Sequence, residues 1–305
     1  MLELVQATES QLNFIYGELN TTPEAIRRDV CSLMEWLKKQ PHLPNVEDEQ
    51  MLTHCLLRCK NSVEKCKTVL EAYYTLKSAM PEIYDDRDPY ALDIERCMKG
   101  MAFVPLPKLT SDGCRVSILR VFDASLQDKI HPDDVIKATF MSGDLRLKID
   151  SCRSDILIFD FKDFTMPIMS LIMANLKKFL ILGTKGIPMR QKRNYVINAP
   201  PSAESLIVLA KSFIRKDLWR KLEVLRNSDE LLKAIPKEIL PRDYGGEELP
   251  LSELRDAWLD TLRHYRDWFF AENEIKADKS KKLTHTNSRL GDTPLEGSFR
   301  KINLD

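Results

Sequence analysis

"DILIFDF", residues 155–161, holds four consecutive apolar side chains, Ile156 to Phe159, between two aspartates. A run this short and this apolar suits a strand covered on both faces, as in a parallel sheet flanked by helices. Upstream, "CRVSILRVF" (114–122) is rich in β-branched residues and is announced by the turn pair Asp112–Gly113. Downstream, "NYVIN" (194–198) is a third strand. A helix is expected from "HPDD", with Asp133 or Asp134 as cap, to about Ile149, and another, rich in Met and Leu, over 166–182. Short strands alternating with helices define an α/β class with a small, mostly parallel sheet.

Ahead of this region the pattern is helical throughout. Residues 22–39 carry a Thr22 cap, Pro23 in the first turn and a stripe of Ile26, Val30, Leu33, Met34 and Leu37. A second helix begins near Glu47, and a third runs from Ser62 until Pro81 closes it. The expected organisation is an all-helical unit over 1–88, an α/β domain over 89–250, and a C-terminal helix with a charged, partly ordered tail over 251–305. "AESLIVLAKSFI" (203–214) is a helix too apolar for a plain surface element: Leu206, Leu209, Ala210 and Phe213 share one side, and Ile207, Val208 and Ile214 leave little of the rest polar.

The chain has 305 residues, and its 46 Lys and Arg balance 46 Asp and Glu. No global field draws it to nucleic acid, so any polyanion binding must come from local clustering. The N-terminus lacks the basic start and apolar run of a signal peptide. The greasiest window, 169–182, carries Lys177 and Lys178 in its middle, so no membrane span is expected and the protein is read as soluble and cytoplasmic. Seven scattered cysteines fit reduced thiols. His54, Cys55, Cys59 and Cys66 suggest zinc, but spacing of i, i+4 and i+11 lines the cysteines along one helix face beside Leu52, Leu56 and Val63, which favours core packing over metal.

The sequence contains no nucleophile elbow, phosphate loop, dinucleotide fingerprint or paired-histidine zinc motif. Asp155, Asp160 and Asp163 bracket a strand, yet alternation puts Asp160 on the opposite face from the other two. Neither catalysis nor a cofactor is expected. The unusual feature is "IPMRQKRNYVINAPP" (187–201), where Arg190, Lys192 and Arg193 stand at the mouth of a buried strand.

Taken together and in order, "DILIFDF", "GIPMRQKRNYVINAP" and "IPKEILPRDYGGEE", preceded by "WLKKQPHLP" and "LLRCKNSVEKCKTVLEAYYTLKSAMPEIY", resemble the CRAL-TRIO lipid-binding family in its tocopherol and retinaldehyde carrier branch. The resemblance implies a cytosolic carrier enclosing one hydrophobic molecule, such as a tocopherol, retinoid, carotenoid or similar isoprenoid, between sheet and helices. It places a lid over about 199–216, with Leu206, Leu209 and Phe213 facing the guest; the alternative for that segment is a buried core helix. Candidate wall residues are Phe140, Met141, Phe159, Phe161, Met169, Met173, Phe179, Leu182 and Ile187. The resemblance further implies a phosphoinositide-reading patch at Lys60, Arg190, Lys192 and Lys221, with Arg193 and Arg220 nearby and Asp217 where a cation would help. It implies a monomer that associates transiently with membranes. A phosphoinositide-responsive adaptor is the second reading. Ser154 and Asp163 stand where the family usually has glycine, and Gly183 and Asn194 replace larger apolar pocket residues, so the identity of the guest does not carry across.

Overall fold

The computed structural model describes residues 1–200, 208 and 216–282. Four helices build the N-terminal unit: α1 (Glu9–Glu18), α2 (Pro23–Lys38), α3 (Glu49–Arg58) and α4 (Val63–Ala79). Thr22, Asp48 and Ser62 each cap the helix that follows by accepting from the backbone N–H three residues on. The buried stripe of α2 is Ile26, Val30, Leu33 and Leu37, which packs against Leu52, Leu56 and Leu70 from α3 and α4. The short helix α5 (Pro81–Tyr84) and α6 (Leu92–Gly100) lead into the sheet.

The sheet has five strands in sequence order: β1 (Met101–Leu109), β2 (Cys114–Val121), β3 (Ser154–Asp160), β4 (Gln191–Ile197) and β5 (Leu222–Val224). β1 pairs antiparallel with β2, and every other pairing is parallel. β1 carries Pro105 and Pro107, and its register shifts between Pro105 and Leu109. Proline cannot donate to a ladder, so such a strand sits at an edge. The crossovers are α7 (Pro132–Ile149) and α8 (Met166–Ile181). The cap of α7 is His131, whose ring accepts from Asp133 N–H, so Asp133 and Asp134 belong to the first turn instead.

A buried ionic cluster joins these parts. Asp150, at the end of α7, binds Arg115 of β2 through both carboxylate oxygens (3.1 and 2.9 Å) and Arg146 at 2.9 Å. Arg146 also reaches Asp155 of β3 at 2.5 Å. Arg58 of α3 donates to the carbonyls of Arg146 and Asp150, where the C-terminal end of α7 favours a cation. Arg115 donates to the Val5 carbonyl as well, which fixes the N-terminal segment along the sheet edge. Burial opposes ionisation of Asp150, but the Arg115 and Arg146 guanidiniums outweigh it and hold the carboxyl far below the usual range.

The C-terminal helix breaks at Tyr265 into Leu251–His264 and Arg266–Glu272. The chain beyond it then returns to the helical unit. Glu272 meets buried Lys77 at 2.7 Å, Ala277 N–H donates to the Tyr74 carbonyl, and Asp278 N–H donates to that of His42. The expected charged tail therefore begins as a packed strap, with Ala277 buried. One stretch, Met166–Gly186, is long and apolar enough to cross a membrane by length and composition alone, a test that the core helix of a soluble protein also passes. Lys178 within it is paired with Asp133 at 2.6 Å and Glu82 at 2.9 Å.

Replacing Asp150 leaves buried guanidiniums without their carboxylate, and breaking a buried pair in this way costs about 3–5 kcal/mol. Asp150→Asn is expected to lower the urea midpoint accordingly. Because the folded-state pKa lies below the unfolded one, this stabilisation is complete above roughly pH 5 and is lost as pH falls toward the folded value. The gap between parent and variant should therefore hold from neutral pH to mild acid and shrink only below that.

Candidate functional site

One face of the sheet is the floor of a cavity of about 260 Å³. Strand alternation sends every second side chain to that face, and the register lines them into two rows. The first row is Pro105, Ser117, Leu157, Asn194 and Leu222, each paired with the next across the strands. In the adjacent row Phe103, Leu119, Phe159 and Val196 face the cavity.

Two helices form the walls. Leu171/Ile172, Asn175/Leu176, Phe179/Leu180 and Gly183/Thr184 recur every four residues along α8 and its extension. From α7 come Ile136, Thr139, Phe140, Ser142, Gly143 and Arg146. The aromatic end is organised by ring contacts: Phe103 lies 5.6 Å from Phe159 and 6.3 Å from Phe179, which in turn lies 6.3 Å from Phe140.

The opposite character appears around the first row. Arg146 points Nη1 at Ser117 Oγ (3.4 Å), Ser142 Oγ accepts from Trp258 Nε1 (3.0 Å), and the Asn194 side chain donates to Gln191. The buried Asn194 Oδ1 has no hydrogen-bond partner among the described residues. The hollow is thus apolar and aromatic over most of its wall, with a small polar group of side chains in one row of the floor.

Of the sequence-derived wall residues, Phe140, Phe159, Phe161, Phe179 and Ile187 line this cavity. Four lie elsewhere. Met141 faces away from it into the main core, and Leu182 packs with Leu76 and Tyr84. Met169 and Met173 sit one helical face over, beside Phe161 and Val196. Leu206, Leu209 and Phe213 lie outside the described residues. Sequence reasoning missed Phe103, Leu119, Leu157 and, apart from Phe179, the α8 stripe. The four-residue recurrence on α8 was the available signal for the last of these. Gly183 and Asn194, noted for their departure from the family pattern, both line the wall.

Three of the four proposed patch cations gather at the start of β4. Arg190 pairs with Glu18 at 2.8 Å, Lys192 with Asp112 at 2.6 Å, and Lys221 donates to the Gln191 carbonyl at 2.6 Å. Arg153 joins them, bound to both Glu18 and Asp112. Burial pulls the Arg190 pKa below its ordinary value, though the group stays charged. Lys60 is exposed in the α3–α4 turn, and Arg193 lies 4.0 Å from Glu223.

The family signatures have a common physical centre. Asp160, at the end of β3, accepts from Asn198 Nδ2 (2.7 Å) and from Tyr244 Oη (2.7 Å). "INAP" and "PRDYGG" therefore meet on one carboxylate, which accounts for Asp160 as a structural tie. Gly245 has φ of 76°, and a Cβ on Gly246 would strike the Leu240 backbone, so this turn needs both glycines.

The strand-floored hollow walled by two helices places the protein among α/β folds with an apolar interior cavity. Residues 99–246 match the family described as the CRAL/TRIO domain, and residues 22–94 match the Pinta-like UBA domain. Residues 99–246 of the chain therefore carry a CRAL/TRIO domain. Among curated proteins it is similar to the alpha-tocopherol transfer protein-like protein of Homo sapiens, at 24% identity over 245 residues covering 78% of this chain and 70% of that one. It is also similar to the SEC14 cytosolic factor of Kluyveromyces lactis, at 27% identity over 132 residues covering 41% and 42% of the two chains. Among solved structures, the crystal structure of Sfh5 aligns with a TM-score of 0.48 and 11% identity, covering 85% of this chain and 98% of that one.

A Cβ placed on Gly183 meets nothing within 4 Å, so a larger side chain enters the cavity without disturbing the protein. Gly183→Leu should keep the parent circular dichroism while weakening a fluorescent fatty-acid probe roughly tenfold, within the ~1–3 kcal/mol usual for overpacking. Unchanged probe affinity would place the guest elsewhere.

Proposed function

We propose that this protein is an intracellular carrier that holds one hydrophobic small molecule between sheet and helices and exchanges it at phosphoinositide-containing membranes. The observation that supports it is the cavity itself, whose apolar wall spans five strands and two helices. Enclosing about 400 Å² of apolar guest surface is worth roughly 10 kcal/mol, enough to keep a guest that water rejects. The polar side chains in one row of the floor favour an amphiphile: an elongated isoprenoid or acyl body with one accepting or hydroxyl group near Ser117, Arg146 and Asn194. The unpaired Asn194 Oδ1 favours a donor on that group.

The basic cluster at β4 is assigned the membrane contact. Each cation near an anionic surface contributes about 1 kcal/mol, and Glu18 and Asp112 offset part of that in the free protein. Docking is therefore weak and reversible, and the protein is read as a cytoplasmic monomer that visits membranes. No step of chemistry is assigned to it.

Native protein denatured in organic solvent should release one equivalent of an apolar small molecule by mass spectrometry; an empty extract from folded protein would defeat the carrier reading. For the patch, Arg190→Glu with Lys192→Glu should weaken binding to phosphoinositide vesicles and leave the affinity for guest unchanged. Glu18→Gln with Asp112→Asn should strengthen vesicle binding. Both effects should fade with added salt, and vesicle binding that ignores both double variants would remove the patch from the mechanism.

A further inference from the structure

Outside the cavity, three thiols converge inside the helical unit. Cys55 lies in α3, Cys59 is the residue that ends it, and Cys66 is in the first turn of α4. The sequence reading placed them along one helix face. Instead the chain reverses between them, through Lys60 and Asn61 with φ of 59° and 56°, a conformation uncommon for non-glycine residues. The three Sγ atoms lie within 4.8 Å of one another, with Cys66 Sγ 3.2 Å from Cys55 Sγ, and all three residues are buried. His54 is not part of the group: its Nδ1 donates to the Leu147 carbonyl at 2.9 Å.

We infer that Cys55, Cys59 and Cys66 form a site for a thiophilic metal ion, with copper(I) as the fitting occupant. Three thiolates around an ion at about 2.3 Å stand roughly 4.0 Å apart in a trigonal plane, a spacing inside the 4.8 Å that bounds all three sulfurs and above the 3.2 Å contact of Cys66 with Cys55, which must open. Soft sulfur donors select copper(I) and zinc(II). Zinc completes a tetrahedron with a fourth ligand, and the group holds three donors among the described residues, walled by Leu52, Leu56 and Leu70. Copper(I) is content with three.

The surroundings suit an anionic complex. Binding as thiolates releases the thiol protons to solvent, and Lys65 and Arg58, close enough to Cys59 to act on its charge, then face the bound group.

The test uses the full chain, reduced and free of oxygen, with Cys31→Ser as background because Cys31 is the exposed thiol. Copper(I) is titrated against a chelator of known affinity, and sulfur-to-metal absorption is followed. One equivalent should bind, with X-ray absorption showing three sulfur neighbours, and zinc(II) should bind more weakly. Cys59→Ser should lower copper(I) affinity by more than about tenfold while circular dichroism is unchanged, and copper(I) should raise the melting temperature of the parent and not of this variant. If Cys59→Ser does not fold, Cys66→Ser is read by the same titration. Binding that persists unchanged in a folded variant overturns the site. So does the absence of binding in the background protein, or an intact mass two hydrogens short that shows a disulfide in the native chain.

Discussion

Asp150 is the charge on which the assembly depends. It lies fully buried at the end of α7, faces two guanidiniums, and through Arg146 is linked to Asp155. Placing ions this deep is costly, and the arrangement persists only because nearly every donor finds an acceptor. The return is geometric. α7, β2, β3, α3 and the first residues of the chain are fixed relative to one another by side chains that have a single satisfactory arrangement. A purely apolar junction would permit sliding; this one does not.

The cavity follows from that rigidity. α7 is clamped at its C-terminal end, so its residues from Ile136 to Arg146 stand off the sheet at a set distance, and α8 completes the wall. Close packing normally fills such a gap. Gly183 and Asn194 contribute little volume there, and the aromatic side chains brace one another along the wall instead of collapsing into it. At the far end of β3, Asp160 closes the turn region through Asn198 and Tyr244. The two family signatures were legible in the sequence; that they bond to one carboxylate was not.

Much of the fold was legible for local reasons. β2, β3 and β4 are apolar runs, and the caps at Thr22 and Ser62 are short-range signals. β1 escaped because Pro105 and Pro107 argue against a strand, although an edge position tolerates them, and β5 is three residues long. The site was less legible. Met169 and Met173 pack behind Phe161 and Val196, which line the cavity, and apolarity does not distinguish a lining residue from one packed behind it. The partners of Arg190 and Lys192 are non-local: Glu18 is 172 residues from Arg190 and Asp112 is 80 from Lys192. Spacing placed the three cysteines on one face because it does not register a chain reversal at Lys60 and Asn61.

The strap formed by residues 272–278 has a mechanical meaning. It bonds α4 to the segment that follows the C-terminal helix, while Leu2 and Val5 bond the start of the chain to Ala257 of that helix and Pro107 of β1. The two halves are laced together in both directions, like two boards tied at both ends. These bonds hold the helical unit against the α/β half, so on the proposed carrier reading a guest enters through a parting within the α/β half itself.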